Sequence, residues 1–180
     1  MNITSKDLAK VIVFQNATED DLQLILKNSI IRSIEEGGFF FFQGDLANYF
    51  YILTSGQTKL MQSNPNGQQV NLRTIYPWQM FGALGAVRKE ATYPATAQAL
   101  ENSSALAIES SFLHKMLETR PQIAFDLMTL MTTYIQEMQS RYRELATERV
   151  EQRVANALIR LTGQTGVRVE KEAGIELSFS

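Results

Sequence analysis

From Ile30 to Ile108 the sequence breaks into short runs rich in aromatic and β-branched residues, each punctuated by glycine: GGFFFFQGD, YFYILTSGQTKLMQ, NPNGQQVNLRTI, WQMFGALG and ATAQALENSSALAI. Short strands recurring between turn signals predict a β-sandwich or barrel over this stretch. The sharpest local signal is NPNG. Pro65 and Asn66-Gly67 supply turn chemistry between two polar, alternating strands, which predicts an exposed hairpin.

Helical periodicity flanks the β region. In NATEDDLQLILKNS, Thr18 is placed to cap a helix with Asp21 three residues on, and Glu19, Asp20 and Asp21 complement the positive end of the helix dipole. Leu22, Ile25 and Leu26 give that helix one apolar face. After the β region, Ser110 or Ser111 is expected to cap FLHKMLETR, and Pro121 ends it before a long run from about Gln122 to Leu145. That run carries two apolar stripes. Met128, Met131, Ile135, Met138, Tyr142 and Leu145 recur at spacings of three and four, and Ile123, Leu127, Leu130 and Tyr134 lie beside them. A helix packed on one body needs one stripe; a second predicts a partner helix, hence a homodimer with the methionine-rich stripe at its seam. From about Thr147, TERVEQRVANALIRLTGQTG reads as another amphipathic helix (Val150, Val154, Ala157, Leu158, Leu161), and VRVEKEAGIELSFS alternates like a β-hairpin. A lone helix and hairpin is too small for its own core, so this end is expected to open a further domain.

Composition narrows the function. A chain of 180 residues buries one good core with length left for an appendage. It has no cysteine, which removes disulfides, iron–sulfur clusters, thiolate zinc sites and thiol catalysis together. A single histidine, His114, leaves no histidine triad or multi-histidine metal site, and it is expected to be solvated, off the stripe of Leu113, Met116 and Leu117. The formal net charge of −2 argues against a chain that is itself a strong nucleic-acid binder. No apolar run approaches a membrane span, and MNITSKDLAK lacks a basic-then-apolar signal. These features predict a cytoplasmic, non-catalytic protein with no membrane association.

The order of segments resembles the catabolite-activator/FNR (CRP/FNR) family of bacterial transcription regulators. FFFQGDLANYFYILTSGQTKL looks like that family's glycine-marked roll, with Gly44 and Gly56 at its corners. FGALG occupies its phosphate-binding cassette, and ERVEQRVANALIRL looks like the helix that opens its DNA-binding domain. The resemblance implies an α+β fold: a double-stranded β-roll with flanking helices (residues 1–120), a long dimerisation helix (121–146) and the start of a winged helix-turn-helix (147–180). It also implies a small-molecule effector, and DNA binding only when the full C-terminal domain is present. A stand-alone effector-binding or dimerisation module is the alternative.

Laid on the cassette, the family's cyclic-nucleotide pattern meets two departures. The cassette Glu of F-G-E-L falls on Ala83, and the Arg and Ser/Thr twelve and thirteen residues past the Phe fall on Tyr93 and Pro94. A buried cyclic phosphate needs a cation or many donors, and its ribose hydroxyl needs an acceptor. Arg88 and Lys89 are expected at a solvated loop tip, so cyclic AMP and cyclic GMP are not expected ligands. YPATAQALE instead resembles the branch of FNR and the regulators of dissimilatory nitrate respiration. Its iron–sulfur version is excluded by the lack of cysteine, whereas its haem version needs an axial ligand. The 2-oxoglutarate readers of the family place arginines in the cassette strand and the long helix. The matching region here has Tyr93, Thr129 and Thr133, so a dicarboxylate would lack a counter-charge. Its halorespiration regulators bind aromatic compounds, and Tyr93 and Tyr134 over Leu127 and Leu130 suit such a ligand. The expected ligand-binding set is Phe81, Gly82, Ala83, Leu84, Tyr93, Pro94, Ala95, Leu127, Leu130 and Tyr134, with a small apolar or aromatic effector ahead of haem.

Overall fold

The glycine-punctuated runs become eight strands in the computed structural model, which describes residues 3–83, 87, 90–147, 150, 152, 155–156 and 158–159. In chain order they are β1 Ser29–Ile34, β2 Phe39–Phe41, β3 Tyr49–Ser55, β4 Thr58–Ser63, β5 Gln69–Ile75, β6 Met80–Phe81, β7 Thr96–Ala99 and β8 Ser103–Glu109. They form two antiparallel four-stranded sheets, ordered β1-β8-β3-β6 and β2-β7-β4-β5. The chain crosses repeatedly from one sheet to the other, which makes the expected double-stranded roll. Alternation then aims one side of each strand into the roll. Tyr51 and Leu53 of β3, Ala105 and Ala107 of β8 and Phe81 of β6 meet Phe41 of β2, Ala97 and Ala99 of β7 and Ile75 of β5 there.

Two turns show the backbone chemistry at work. In the β4–β5 hairpin, Asn64 Oδ1 accepts from the N–H groups of Asn66 and Gln68, both at 3.0 Å, and the Gly67 N–H donates to the Asn64 carbonyl at 3.0 Å. The NPNG hairpin is therefore as expected. Gly56 turns β3 into β4 with φ +80°, and a Cβ there would lie 2.3 Å from Ser103 Oγ and 2.7 Å from the Asn102 carbonyl oxygen. Only glycine fits.

The opposite face of β3 and β8 is equally apolar: Phe50, Ile52, Leu106 and Ile108 are buried. Helical segments supply the matching apolar residues. They are α1 Ser5–Leu8, a 3₁₀ turn Ile12–Phe14, α2 Glu19–Lys27, α3 Ser110–Thr119 and α4 Pro121–Thr147. Leu8, Val11, Phe14, Leu22, Ile25, Leu113, Met116 and Ile123 are buried, and α3 touches β8 directly. The chain's contacts group Met1–Met131 and Thr132–Ser180 as two compact units, so the start of α4, with Ile123, Leu127 and Leu130 buried, belongs with the roll. Beyond Thr147 the described residues Val150, Gln152, Ala155, Asn156, Leu158 and Ile159 are helical. The hairpin expected from VRVEKEAGIELSFS lies outside the described residues.

Two local expectations are corrected. Neither Ser110 nor Ser111 caps α3; Glu109 is the cap residue, and Ser110 Oγ instead donates to the Ala47 carbonyl at 2.5 Å. That bond ties the helix start to the segment before β3, a tertiary partner that the local sequence does not display. His114 is half-exposed rather than fully solvated. Its Nε2 is buried and has no hydrogen-bond partner among the described residues.

The expected cap at Thr18 is present. Its Oγ1 accepts from the Asp21 N–H at 3.2 Å and donates to Asp21 Oδ2 at 2.7 Å, while Arg120 Nε donates to Asp21 Oδ1. One buried carboxylate thus joins α2 to the junction of α3 and α4. Burial pushes the Asp21 carboxyl up, but the hydrogen bonds from Arg120 and Thr18 outweigh it and hold it below its usual value. Its contribution is therefore present at neutral pH and is lost as pH falls below about 4. Asp21→Ala should lower stability by about 1–3 kcal/mol in urea denaturation at pH 7, because it removes a cap and strands part of a guanidinium. The gap between wild type and variant should shrink in acid.

Candidate functional site

The cassette begins where β6 pairs with β3, Phe81 opposite Tyr51 and Met80 opposite Ile52. Gly82 follows with φ +76°. A Cβ at that position would lie 3.3 Å from Phe41 Cε1 and Tyr93 Cε1, and 3.4 Å from Tyr51 Cδ2. The glycine is thus needed twice, for its left-handed backbone and for the ring packing against it. Ala83 is buried, and its carbonyl accepts from the Val87 N–H at 2.9 Å. Leu84, Arg88 and Lys89 lie outside the described residues.

Tyr93 is the centre of the site. Its backbone is clamped on both sides: its N–H donates to the Asp45 carbonyl and its own carbonyl accepts from the Gly44 N–H, each at 2.9 Å. The side chain enters the roll and is 3% exposed. Its ring stacks on Phe41 with centroids 3.8 Å apart and planes 14° from parallel. The stack continues from Phe41 to Tyr51 (5.6 Å, 28°) and from Tyr51 to Phe81 (5.1 Å, 22°), with Phe40 edge-on to Phe81 at 5.2 Å. The phenol finds both partners it needs on one residue. Tyr93 Oη donates to the Tyr49 carbonyl at 2.6 Å and accepts from the Tyr49 N–H at 3.2 Å. Burial, and then the neighbouring Tyr51, push the Tyr93 phenol well above its ordinary value, and burial raises Tyr51 too.

The expected ligand-binding residues separate into groups. Phe81, Gly82 and Tyr93 are brought together with Phe40, Phe41 and Tyr51, and Ala83 and Ala95 are buried beside them in sequence. Pro94 is exposed, with its carbonyl accepting from Gln62 Nε2 at 2.8 Å. Leu127 and Leu130 are buried but stand outside the inner cluster, and Tyr134 is half-buried in the other compact unit. Sequence reading passed over Phe41, Tyr49 and Arg32. The signal for the first two lay in the FFFF run and in the period-two spacing of Tyr49 and Tyr51. Arg32 lies two residues before inward-facing Ile34, so strand alternation puts it on the same face. Its guanidinium carbon sits 4.8 Å from the Tyr49 ring centroid.

Residues 31–120 match the family described as cyclic nucleotide-binding domain. The chain belongs to that family, with a cyclic nucleotide-binding domain of the CRP/FNR type. It is 30% identical over 149 residues to the transcriptional activator protein anr of Pseudomonas aeruginosa, covering 83% of this chain and 59% of that one. It is 27% identical over 152 residues to the cyclic AMP receptor protein of Thermus thermophilus, covering 84% of this chain and 70% of that one. Among solved structures it is similar to the sensor domain of the transcriptional regulator DNR from Pseudomonas aeruginosa, with a TM-score of 0.66 and 25% identity over 81% of this chain and 95% of that one. Two of these relatives are named as a transcriptional activator and a transcriptional regulator, and the third as a cyclic AMP receptor. Among the described residues no helix is long and apolar enough to cross a membrane, and no cluster of three metal-ligating side chains occurs.

Within the CRP/FNR fold, then, a buried neutral phenol stands where the cyclic-nucleotide pattern places a guanidinium. Tyr93→Phe keeps the stack and deletes both bonds to Tyr49, leaving a buried N–H and carbonyl unsatisfied. It should cost about 1–3 kcal/mol in chemical denaturation. Because the folded phenol ionises above its unfolded value near 10, its contribution is present below that pH and is lost as pH rises beyond it. The stability gap between wild type and Tyr93→Phe should therefore narrow in strong alkali.

Proposed function

We propose that the chain is the sensor and dimerisation part of a cytoplasmic, non-catalytic, DNA-binding transcription regulator whose effector is not a cyclic nucleotide. The observation that carries this reading is the state of Tyr93. A phosphate entering the cassette meets an aromatic stack and a phenol already committed to the Tyr49 backbone, with no cation at that position and no carboxylate at Ala83 for a ribose hydroxyl. Burying a phosphate there without charge-assisted partners is prohibitive. Haem is supported less well than an organic effector. No residue of the inner cluster offers a nitrogen or sulfur donor, and the buried His114 Nε2 belongs to α3 rather than to that cluster. Calorimetry with cyclic AMP and cyclic GMP at micromolar protein should show no saturable heat; a submicromolar dissociation constant would overturn the reading.

Dimerisation is proposed through α4. Phe125, Met128, Ile135, Met138, Tyr142 and Leu145 are 56–75% exposed, and with half-buried Met131 they recur at heptad-like spacing. Apolar exposure of that length calls for a second helix. Effector binding then acts by population shift, changing how the roll packs on the start of α4 and so the disposition of the helix pair. Met131→Glu together with Met138→Glu places four charges at a twofold seam, and light scattering should report a folded monomer. A folded dimer would move the seam elsewhere. A chain carrying a complete winged helix-turn-helix should protect a palindromic duplex with half-sites about one turn apart, and the same double substitution should abolish that protection.

A further inference from the structure

Arg32 is a charged side chain on the inner face of the roll. On β1 it pairs with Ala105 of β8, and Ile30 pairs with Ala107. Ala105 and Ala107 belong to the inner cluster, and Ile34 packs against it. Alternation along β1 therefore points Arg32 inward as well. The arginine reaches across β8 until its guanidinium lies over the Tyr49 ring at 4.8 Å. Tyr49 leans on Tyr51, with ring centroids 6.4 Å apart, and its backbone holds the Tyr93 phenol. The guanidinium thus sits over the β3 tyrosine whose backbone holds Tyr93, the residue on which the family's cassette arginine falls.

Its charge is unanswered. Among the described residues no carboxylate lies within 4.0 Å of Arg32, and Glu109, opposite Tyr49 in register, takes a hydrogen bond from Ser111 instead. The residue is only half-exposed. An arginine stacked on an aromatic face keeps its planar N–H fork free for a carboxylate, and stacking holds that fork in one orientation.

We propose that Arg32 and Tyr49 form the anion-recognising end of the effector site, and that the effector is a small organic carboxylate with a flat apolar body. The carboxylate takes the guanidinium fork, and the body lies against the half-buried Tyr49 ring. This rests on the reading that the roll takes an effector. It moves the recognising cation from the cassette, where the family's cyclic-nucleotide pattern puts it, to the first strand.

The test uses the 180-residue chain with benzoate, phenylacetate and indole-3-acetate, each against its neutral amide. Binding is followed by tyrosine difference absorbance and calorimetry. At least one acid should bind saturably and about tenfold or more tighter than its amide, and Arg32→Gln should erase that preference. Should Arg32→Gln fail to fold, Arg32→Lys keeps the charge without the fork, and the acid alone should weaken. Three results overturn the proposal: no saturable binding by any acid, equal binding of acid and amide, or an acid preference untouched in the Arg32 variant. The dimer and duplex-protection experiments do not use this site. Their success alongside failure here would retain the regulator and remove the anion.

Discussion

The two hydrogen bonds between the Tyr93 phenol and the backbone of Tyr49 organise the rest of the site. A buried hydroxyl must be satisfied, and here one residue supplies both the donor and the acceptor. That fixes the ring's height in the roll, and Phe41, Tyr51 and Phe81 follow it into a stack. A Cβ at Gly82 would press on those rings at 3.3–3.4 Å. Around the site, pairing of Tyr93 with Gly44 and Asp45 holds the segment before β7 against the turn after β2. The roll closes through this residue.

Such a centre changes what the fold can sense. With an arginine at this position, the interior stores a charge that a bound anion must answer. With a tyrosine bonded to the backbone, the interior is neutral and complete at that point. Positive charge stands instead at Arg32, across β8 and over the face of Tyr49.

The helices divide the labour differently. Asp21 and Arg120 join α2 to the α3–α4 junction, and Asn16 Nδ2 donates to Asp126 Oδ2 at 3.2 Å, so the start of the long helix is held to the N-terminal segment. Ile123, Leu127 and Leu130 bury the adjoining stripe. The other stripe of α4 stays exposed over several turns. One helix thus carries one buried and one exposed apolar stripe.

Local chemistry made much of this legible from residues alone. Glycine-punctuated runs announced a β-roll, NPNG its hairpin, Thr18 and Asp21 a helix cap, and the two stripes of α4 a helix with two apolar sides, because each depends on neighbours within a few residues. The loss of the charged cassette residues at Ala83 and Tyr93 was legible for the same reason. Tertiary structure alone decided how those losses were made good. Tyr93 bonds to a residue 44 positions away, Phe41 stacks on it from β2, the strand paired with β7, Ser110 bonds to Ala47 instead of capping its helix, and Arg32 reaches Tyr49 across β8. Strand periodicity sets the face on which a side chain lies; only the pairing of sheets sets what it meets there.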